Sequence, residues 1–188
     1  MPTDKIYPTN VYWAMIGNVH EVQTEIADII DQVPFRETSK YLGYANKLTD
    51  LRMDILEEFK LEKTKQMIDV HLRHYCTDLN FPFRPYKIYS WFTKNETGDY
   101  LQTHHHNDVD ITGTYYFQTN GQDGDFFFES PVTAAPHSIV YSNQHTRLFV
   151  PPAEGKIILF PGWILHGVLK NTTESTRIGI SFNISFER

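Results

Sequence analysis

The feature that most constrains the fold is the alternation of apolar and polar residues that begins after residue 80. Alternation with a period of two, over short segments, indicates β-strands with one buried face. Turn-forming runs such as NETG, TNGQDG, PPAEG and KNTTES separate the segments. Eight or nine short strands at this spacing predict a β-sandwich or a jelly-roll barrel. The predicted strands cover residues 86–93, 99–106, 112–118, 124–129, 137–142, 146–150, 155–160, 164–169 and 176–186.

The first 80 residues have a helical pattern instead. Apolar residues recur every three or four positions from Val19 to Val33, which predicts an amphipathic helix. Asn18 is a candidate N-cap for this helix, and Pro34 ends the run. A second helical stretch covers residues 50–77. The sequence therefore predicts helices ahead of the strands.

Length and composition indicate one domain. The chain has 188 residues, of which 40% are hydrophobic and 21% are charged, as in ordinary globular proteins. We predict a single domain over residues 1–188, with a helical flank (1–80) packed on one side of a jelly-roll core (81–188). The expected fold class is α+β, mainly β, with a double-stranded β-helix as its core.

Charge and cysteine content exclude several classes of protein. The formal net charge is −6 and there is no long basic run, which disfavours nucleic acid and anionic membranes as partners. Cys76 is the only cysteine, so a disulfide framework and a multi-cysteine metal site are excluded. Neither a signal peptide nor an apolar run of about 18 residues is present, which predicts a cytoplasmic protein. The predicted helices could pair in a homodimer.

The segment LQTHHHNDVD (101–110) carries the strongest chemical signal. On a strand that runs into a loop, alternate side chains share a face, so His104, His106 and Asp108 would point into the barrel. A His-x-Asp pair supplies two ligands of the two-histidine, one-carboxylate site that holds Fe(II). A His-x-His pair would supply two imidazoles instead. The pattern leaves both ligand sets open.

Two later features strengthen the prediction of a metal site. GKIILFPGWILH (155–166) reads as an apolar strand, a turn and His166 at the start of the next strand. In a jelly roll this order can bring a third imidazole to the first two. Arg177 lies in the strand 176–186 among apolar or small residues, and a half-buried guanidinium needs a partner. A dicarboxylate would serve as that partner, and so would an acidic side chain such as Glu174.

These motifs resemble the 2-oxoglutarate- and Fe(II)-dependent oxygenases of the prolyl-hydroxylase-like superfamily. The resemblance is strongest to a small subfamily found in marine bacteria and their phages, and it extends over essentially the whole chain. It is carried by WFTKNETGDYLQTHHHNDVDITGTYYF (91–117), GDFFFESP (124–131) and PPAEGKIILFPGWILHGVLKNTTESTRIGISFNISF (151–186), with PTNVYW (8–13) as a weaker match.

The resemblance implies an oxidoreductase, more narrowly a dioxygenase that uses Fe(II), 2-oxoglutarate as cosubstrate and O2. Such an enzyme hydroxylates a C–H bond of its substrate and releases succinate and CO2. The substrate would be a small molecule or a peptide, and the sequence does not identify it.

The resemblance also implies a ligand set, although two versions compete. The superfamily pattern points to His106, Asp108 and His166, whereas the subfamily pattern points to His104, His106 and His166. We favour the set with Asp108, because a carboxylate leaves the site less positively charged than three neutral imidazoles do.

Arg177 would bind the cosubstrate carboxylate. Gly179 stands where some relatives have a serine that assists this arginine, so another residue must help. Tyr116 is the first choice, with Tyr100 or Tyr115 as substitutes. Substrate contacts are expected from the loops 130–138 and 143–147, where the polar candidates are His137, His145 and Arg147.

Two other readings compete with an oxygenase. A cupin-type metal enzyme would use His104, His106, Asp110 and His166 and would not need Arg177. The second alternative is a metal-free jelly-roll module that binds a partner or a glycan. Such a module would not be stabilised by added metal.

Overall fold

The computed structural model of the chain describes residues 9–38, 44–132 and 146–188. Its helices are α1 (Val19–Ala27), α2 (Ile55–Glu58) and α3 (Glu62–Asp78), with a 3-10 turn at Ile30–Gln32. Its strands are β1 (Tyr12–Met15), β2 (Arg36–Glu37), β3 (Tyr44–Ala45), β4 (Lys47–Leu48), β5 (Tyr86–Asn95), β6 (Tyr100–His104), β7 (Ile111–Gln118), β8 (Phe126–Glu129), β9 (Arg147–Val150), β10 (Lys156–Pro161), β11 (His166–Val168) and β12 (Arg177–Phe186).

The strands form two antiparallel sheets. The larger sheet has the order β1-β10-β7-β12-β5-β4-β2, and the smaller sheet has the order β3-β6-β11-β8-β9. Consecutive strands from β9 to β12 alternate between the two sheets, which is the winding of a jelly roll. The predicted double-stranded β-helix is confirmed. The expected strand 137–142 lies outside the described residues.

Strand β12 shows how one element serves two layers. Its side chains alternate between the two faces of the larger sheet. Ile178, Ile180, Phe182 and Ile184 are buried against the helical layer. Arg177, Gly179, Ser181 and Asn183 line a cavity between the two sheets. The larger sheet is therefore buried on both faces over this strand.

The helical layer packs on the outer face of the larger sheet. Val22 and Ile26 of α1 and Leu72 of α3 are fully buried in the same core as the even-numbered side chains of β12. Glu25 joins the two helices, because its carboxylate accepts hydrogen bonds from the backbone N–H groups of Lys63 and Thr64, both at 2.8 Å. These groups belong to the first turn of α3, where a carboxylate also interacts favourably with the helix dipole.

The N-terminal region differs from the sequence prediction in detail. Helix α1 ends at Ala27, well before Pro34, and Asn18 makes no side-chain capping bond to any described residue. The second helical stretch is divided into α2 and α3 near Lys60, which has φ of 53°. Residues 1–80 also contribute β1 to β4, which the helical reading of this region missed. Within the described ranges, no helix has the length and apolar character needed to cross a membrane.

Candidate metal and cosubstrate site

Three histidines converge where two strands of the smaller sheet meet. His104 ends β6 and His166 begins β11, and the two residues are direct partners across the antiparallel pair. His106 follows in the loop after β6, and its backbone N–H donates to the Gly162 carbonyl at 2.8 Å. One ring nitrogen from each histidine lies within 4.8 Å of the other two. This spacing suits three ligands of a single metal ion.

Two of the three imidazoles are held in one tautomer by the chain itself. His104 Nδ1 lies 2.9 Å from the Gln102 carbonyl, and His166 Nδ1 lies 2.9 Å from the Ile164 carbonyl. Because a carbonyl oxygen can only accept, Nδ1 carries the proton in both neutral rings. Nε2 of each ring therefore retains the lone pair that metal binding requires.

Burial keeps these histidines neutral. Burial, together with a smaller contribution from the positive charge that His104 would carry, lowers the pKa of His106 to about 4. Burial also lowers the pKa of His104, and it lowers that of His166 well below its usual value. Phe126 stacks on the His166 ring at 5.4 Å between centroids, and Phe160 contacts it edge-on at 4.6 Å. Neutral imidazoles in an apolar wall are ready to bind a cation.

The turn between β10 and β11 packs directly against the loop that carries His106. A Cβ atom on Gly162 would lie 2.4 Å from the Val109 carbonyl oxygen and 2.8 Å from that of His106. No larger side chain fits this contact without moving backbone. The close approach explains why glycine suits this position.

Asp108 lies apart from the histidines. Strand β6 ends at His104, so the alternation that would bring Asp108 to the same face stops too early. Asp108 is exposed at the edge of the cavity and does not belong to the group of three. Asp110, the fourth ligand expected of a cupin, is also outside that group. Its carboxylate accepts a hydrogen bond from the Phe186 backbone at 2.8 Å.

Arg177 is buried at the start of β12, with 4% of its surface exposed. Its Nη1 donates to the backbone carbonyls of Asp123 at 3.1 Å and Gly124 at 2.5 Å. The Asp123 carboxylate lies 3.5 Å from the same nitrogen and is itself fully buried. The acidic partner is therefore Asp123 rather than the Glu174 considered from the sequence. Nε and Nη2 have no partner among the described residues and remain available to a ligand.

Two further polar groups lie beside Arg177 on the cavity face. Asn95 is its cross-strand partner on β5, and Tyr116 of β7 is the partner of Gly179, the next residue of β12 on that face. Asn95 Nδ2 and the Tyr116 hydroxyl are buried and have no hydrogen-bond partner in the described parts of the chain. Burial raises the pKa of Tyr116 to about 12, so its hydroxyl keeps its proton. The three side chains present unused donors to a cavity of about 590 Å³.

The other predicted site residues lie elsewhere. Tyr115 faces the helical layer, where its hydroxyl accepts a hydrogen bond from Gln23. Tyr100 does not line the cavity, whereas its neighbour Leu101 does, as alternation along a strand requires. Arg147 pairs with Glu129 at 2.8 Å and stacks on Phe127, outside the cavity. His137 and His145 lie outside the described residues.

Four residues of the site were not predicted from the sequence. Asn95, Trp91 and Asn183 line the cavity, and Asp123 pairs with Arg177. Trp91 lines the cavity and stacks on His106 with 6.1 Å between ring centroids. Asn183 could have been found from the alternation in RIGISFN, because it lies on the same strand face as Arg177. Asp123 is 54 residues away from Arg177 in the sequence, and no local pattern connects the two.

Comparison with known proteins agrees with this arrangement. The sequence profile of the family described as "Putative 2OG-Fe(II) oxygenase" matches residues 89–183, just over half of the chain. The chain belongs to this family. The enzyme is thus a 2-oxoglutarate- and Fe(II)-dependent oxygenase, as the motifs predicted. No curated protein sequence matches this oxygenase.

Solved structures share the fold of this oxygenase at low sequence identity. HygX from Streptomyces hygroscopicus, determined with nickel and 2-oxoglutarate, has a TM-score of 0.68 and 14% identity, covering 94% of this chain and 83% of HygX. The non-heme α-ketoglutarate-dependent epimerase SnoN from nogalamycin biosynthesis has a TM-score of 0.67 and 11% identity, with coverages of 95% and 77%. A Trichoplax adhaerens prolyl hydroxylase, in complex with a peptide of hypoxia-inducible factor, has a TM-score of 0.65 and 13% identity, with coverages of 94% and 83%. At these identities the likeness concerns the fold.

Proposed function

We propose that this oxygenase uses O2 to hydroxylate a C–H bond of a small molecule or peptide. One oxygen atom enters the product and the other enters succinate, as 2-oxoglutarate loses CO2. The observation that carries the proposal is that one cavity holds both a cluster of three histidines and the unused donors around Arg177. When bound, Fe(II) and 2-oxoglutarate supply the oxidising chemistry, and the protein supplies position and surroundings.

His104, His106 and His166 are the proposed metal ligands. Their grouping, their lowered pKa values and the carbonyl partners of two of them all support this set. The alternative set with Asp108, which we favoured from the sequence, would require the loop after β6 to bring an exposed carboxylate inward.

Arg177 is the proposed anchor for the distal carboxylate of 2-oxoglutarate. A guanidinium with Nε and Nη2 free can offer two parallel hydrogen bonds to a carboxylate. The Tyr116 hydroxyl and Asn95 Nδ2 add two neutral donors beside it. Asp123 and two carbonyls hold the guanidinium through Nη1, so the free nitrogens are already oriented.

The remaining lining excludes water rather than transferring protons. Phe126 and Phe160 cover the His166 ring, and Leu101 and Val168 line the same cavity. An apolar wall around the centre prevents side reactions and strengthens electrostatic contacts inside it. The proposed reaction needs no side chain as a general base.

The prime substrate is proposed only as a class. Among the neighbours, HygX has also been solved with hygromycin B bound and the Trichoplax enzyme with a peptide, so this fold accommodates both kinds of molecule. SnoN is an epimerase, so the fold also supports an outcome other than hydroxylation. A homodimer and a cytoplasmic location stay predictions.

An anaerobic titration of metal-free protein tests this proposal. Fe(II) is added first and 2-oxoglutarate second, while the weak visible charge-transfer band of the chelated pair is followed. We expect the band in the unmodified protein and in Asp108→Asn, and its loss in His104→Ala and Arg177→Leu. A band lost in Asp108→Asn but kept in His104→Ala would restore the carboxylate ligand set. Binding of Fe(II) without any band would contradict the cosubstrate assignment.

A further inference from the structure

The two sheets end in four edge strands, which differ in how they are protected against pairing with another chain. An edge strand offers a row of unpaired backbone groups, and natural proteins guard it with shortness, charge or proline. β2 and β3 have two residues each, and β2 consists of Arg36 and Glu37. β9 begins with Arg147. β1 has four residues, YWAM, and is the edge in the described ranges that has none of these safeguards.

The register of β1 shows which of its backbone groups are unused. Residues of an antiparallel strand direct their N–H and C=O groups alternately to the two sides. The Ile16 N–H donates to the Gly155 carbonyl at 2.9 Å, so Ala14, two residues earlier, also points towards β10. Trp13 and Met15 therefore direct their backbone groups away from β10, towards the open edge. No strand in the described ranges pairs with β1 on that side.

The side chains of the same two residues form an apolar strip along this edge. Trp13 is 62% exposed and Met15 is 53% exposed. Trp13 is the register partner of Ile158, which is buried in the core between the sheets, so Trp13 and Met15 project on that face of β1. Ala14 projects on the other face, where it packs against the helical core. Unused backbone groups and exposed apolar side chains thus coincide at two positions.

We propose that β1 pairs antiparallel with β1 of a second copy of this chain, around a two-fold axis at Ala14. In this register Trp13 of each copy lies opposite Met15 of the other, and the two residues exchange both of their backbone hydrogen bonds. The symmetry repeats the pair, so the outward N–H and C=O groups of both residues are all used. The methionine sulfur also makes a favourable contact with the aromatic ring. The two larger sheets become one continuous sheet.

A second copy suits this edge because the edge complements itself. A two-fold contact uses the same patch on both subunits and closes the assembly, so it does not propagate into fibres. Pairing about Ala14 brings large side chains together on one face and two small ones together on the other. No bulky side chain then separates the two helical layers at the axis. The inference does not depend on the proposed function, because no residue of β1 lines the cavity.

Sedimentation velocity of the full chain at increasing concentration tests the dimer. We expect a species of twice the mass of one chain. Proline is tolerated on an edge strand where the N–H faces outward, so Met15→Pro removes a donor to the second copy and leaves the bonds to β10. It should raise the dimer dissociation constant more than about tenfold, because the dimer loses two hydrogen bonds. A monomer at every concentration of the unmodified protein would overturn the proposal.

A matched variant separates this dimer from one formed by the helices. Val70 is 43% exposed on α3, so Val70→Lys places a charge on the helical layer and should leave the dimer unchanged. Loss of the dimer in Val70→Lys, with the dimer kept in Met15→Pro, would overturn the proposal in favour of helix pairing. Circular dichroism checks the fold of each variant. If Met15→Pro does not fold, Trp13→Lys replaces it, because that change keeps every backbone bond to β10.

A cysteine cross-link tests the register. Ala14 faces its own copy in a non-hydrogen-bonded pair, where Cα atoms lie about 4.5 Å apart, within reach of a disulfide. Ala14→Cys should therefore form a covalent dimer under mild oxidation. Trp13→Cys should not, because its copies lie two positions out of register, beyond the roughly 7 Å limit. Cys76 is 1% exposed, so the unmodified chain gives the baseline. The reverse pattern of cross-linking would overturn the register about Ala14.

Discussion

The two polar regions of the cavity are built in different ways. Around the histidines, His104 and His166 find their partners within their own strand or turn. Around Arg177, the Tyr116 hydroxyl and Asn95 Nδ2 are buried donors without hydrogen-bond partners in the described ranges. Unpaired buried polar atoms are costly, so natural proteins keep few of them. The chain thus supplies partners to two histidines of the proposed metal region, whereas two donors of the proposed cosubstrate region lack a partner among the described residues until a ligand binds.

The largest expected effect tests the buried charge pair between Arg177 and Asp123, which holds the guanidinium of the proposed cosubstrate region. Arg177→Leu leaves the fully buried Asp123 carboxylate without its cation, which should lower the free energy of unfolding by about 3–5 kcal/mol. Chemical denaturation at pH 7 measures the loss. Asp123→Asn added to Arg177→Leu should recover part of it, because the neutral amide no longer needs the guanidinium. Equal stabilities of Arg177→Leu and the unmodified protein would show that the pair is not a structural requirement.

The next effect concerns the metal region. His166→Ala removes a proposed ligand and should weaken Fe(II) binding by more than about 100-fold, beyond the usual effect of a supporting residue. Anaerobic calorimetry gives the dissociation constant directly. The matched change His105→Ala alters the exposed histidine that lies between His104 and His106 and should keep the affinity of the unmodified protein. Similar losses in both variants would point to a general effect of histidine removal.

The buried histidines should also make the stability of the metal-free protein depend on pH. The folded-state pKa values of the three histidines lie below the usual 6.5, near 4 for His106, so the unfolded chain binds protons first as pH falls. The stability of the metal-free protein is therefore full above pH 6.5 and declines from there towards pH 4, by at most about 1.4 kcal/mol per pH unit for each histidine. Urea unfolding between pH 7 and pH 4 measures the slope. His106→Gln should flatten it, and an unchanged slope would contradict this assignment.

The smallest effect concerns the unpaired hydroxyl beside Arg177. Tyr116→Phe should weaken 2-oxoglutarate binding about fivefold, which corresponds to the typical 1 kcal/mol of one hydrogen bond. Its stability should stay within about 0.5 kcal/mol of the unmodified protein, because the lost hydroxyl has no partner in the described chain. Tyr115→Phe is the matched control, since that hydroxyl faces the helical layer. Equal affinities in the two variants would remove Tyr116 from the cosubstrate region.

Local patterns predicted most of the sheet framework, because alternation and turn residues act over a few positions. The strands from β5 to β12 follow the predicted order, and His104, His106 and His166 meet as a jelly roll requires. Strands β2 to β4 have only two residues each, which is too short for any periodicity to be visible. Their pairing is decided by neighbours that lie far away in the sequence.

The prediction that Asp108 shares a face with His106 depends on where strand β6 ends, which a local sequence pattern does not record. Alternation would have carried its side chain to the face of His106, but β6 stops at His104 and the chain turns. The bond between the His106 backbone and Gly162, on the β10–β11 turn, fixes the position of that loop. A contact between segments more than fifty residues apart leaves no trace in a local pattern, and the same holds for the pairing of Arg177 with Asp123.

The two-sided construction of β12 has a consequence for protein engineering. Its odd-numbered positions, from Arg177 to Asn183, carry the cavity chemistry, while Ile178, Ile180 and Phe182 between them carry the core. Along this one strand, odd-numbered positions therefore shape the cavity and even-numbered positions hold the helical core. A variant library confined to Ser181 would sample the cavity wall without opening a void beneath the helices. Gly179 should be kept, because a Cβ atom there would lie 2.8 Å from the Tyr115 carbonyl oxygen.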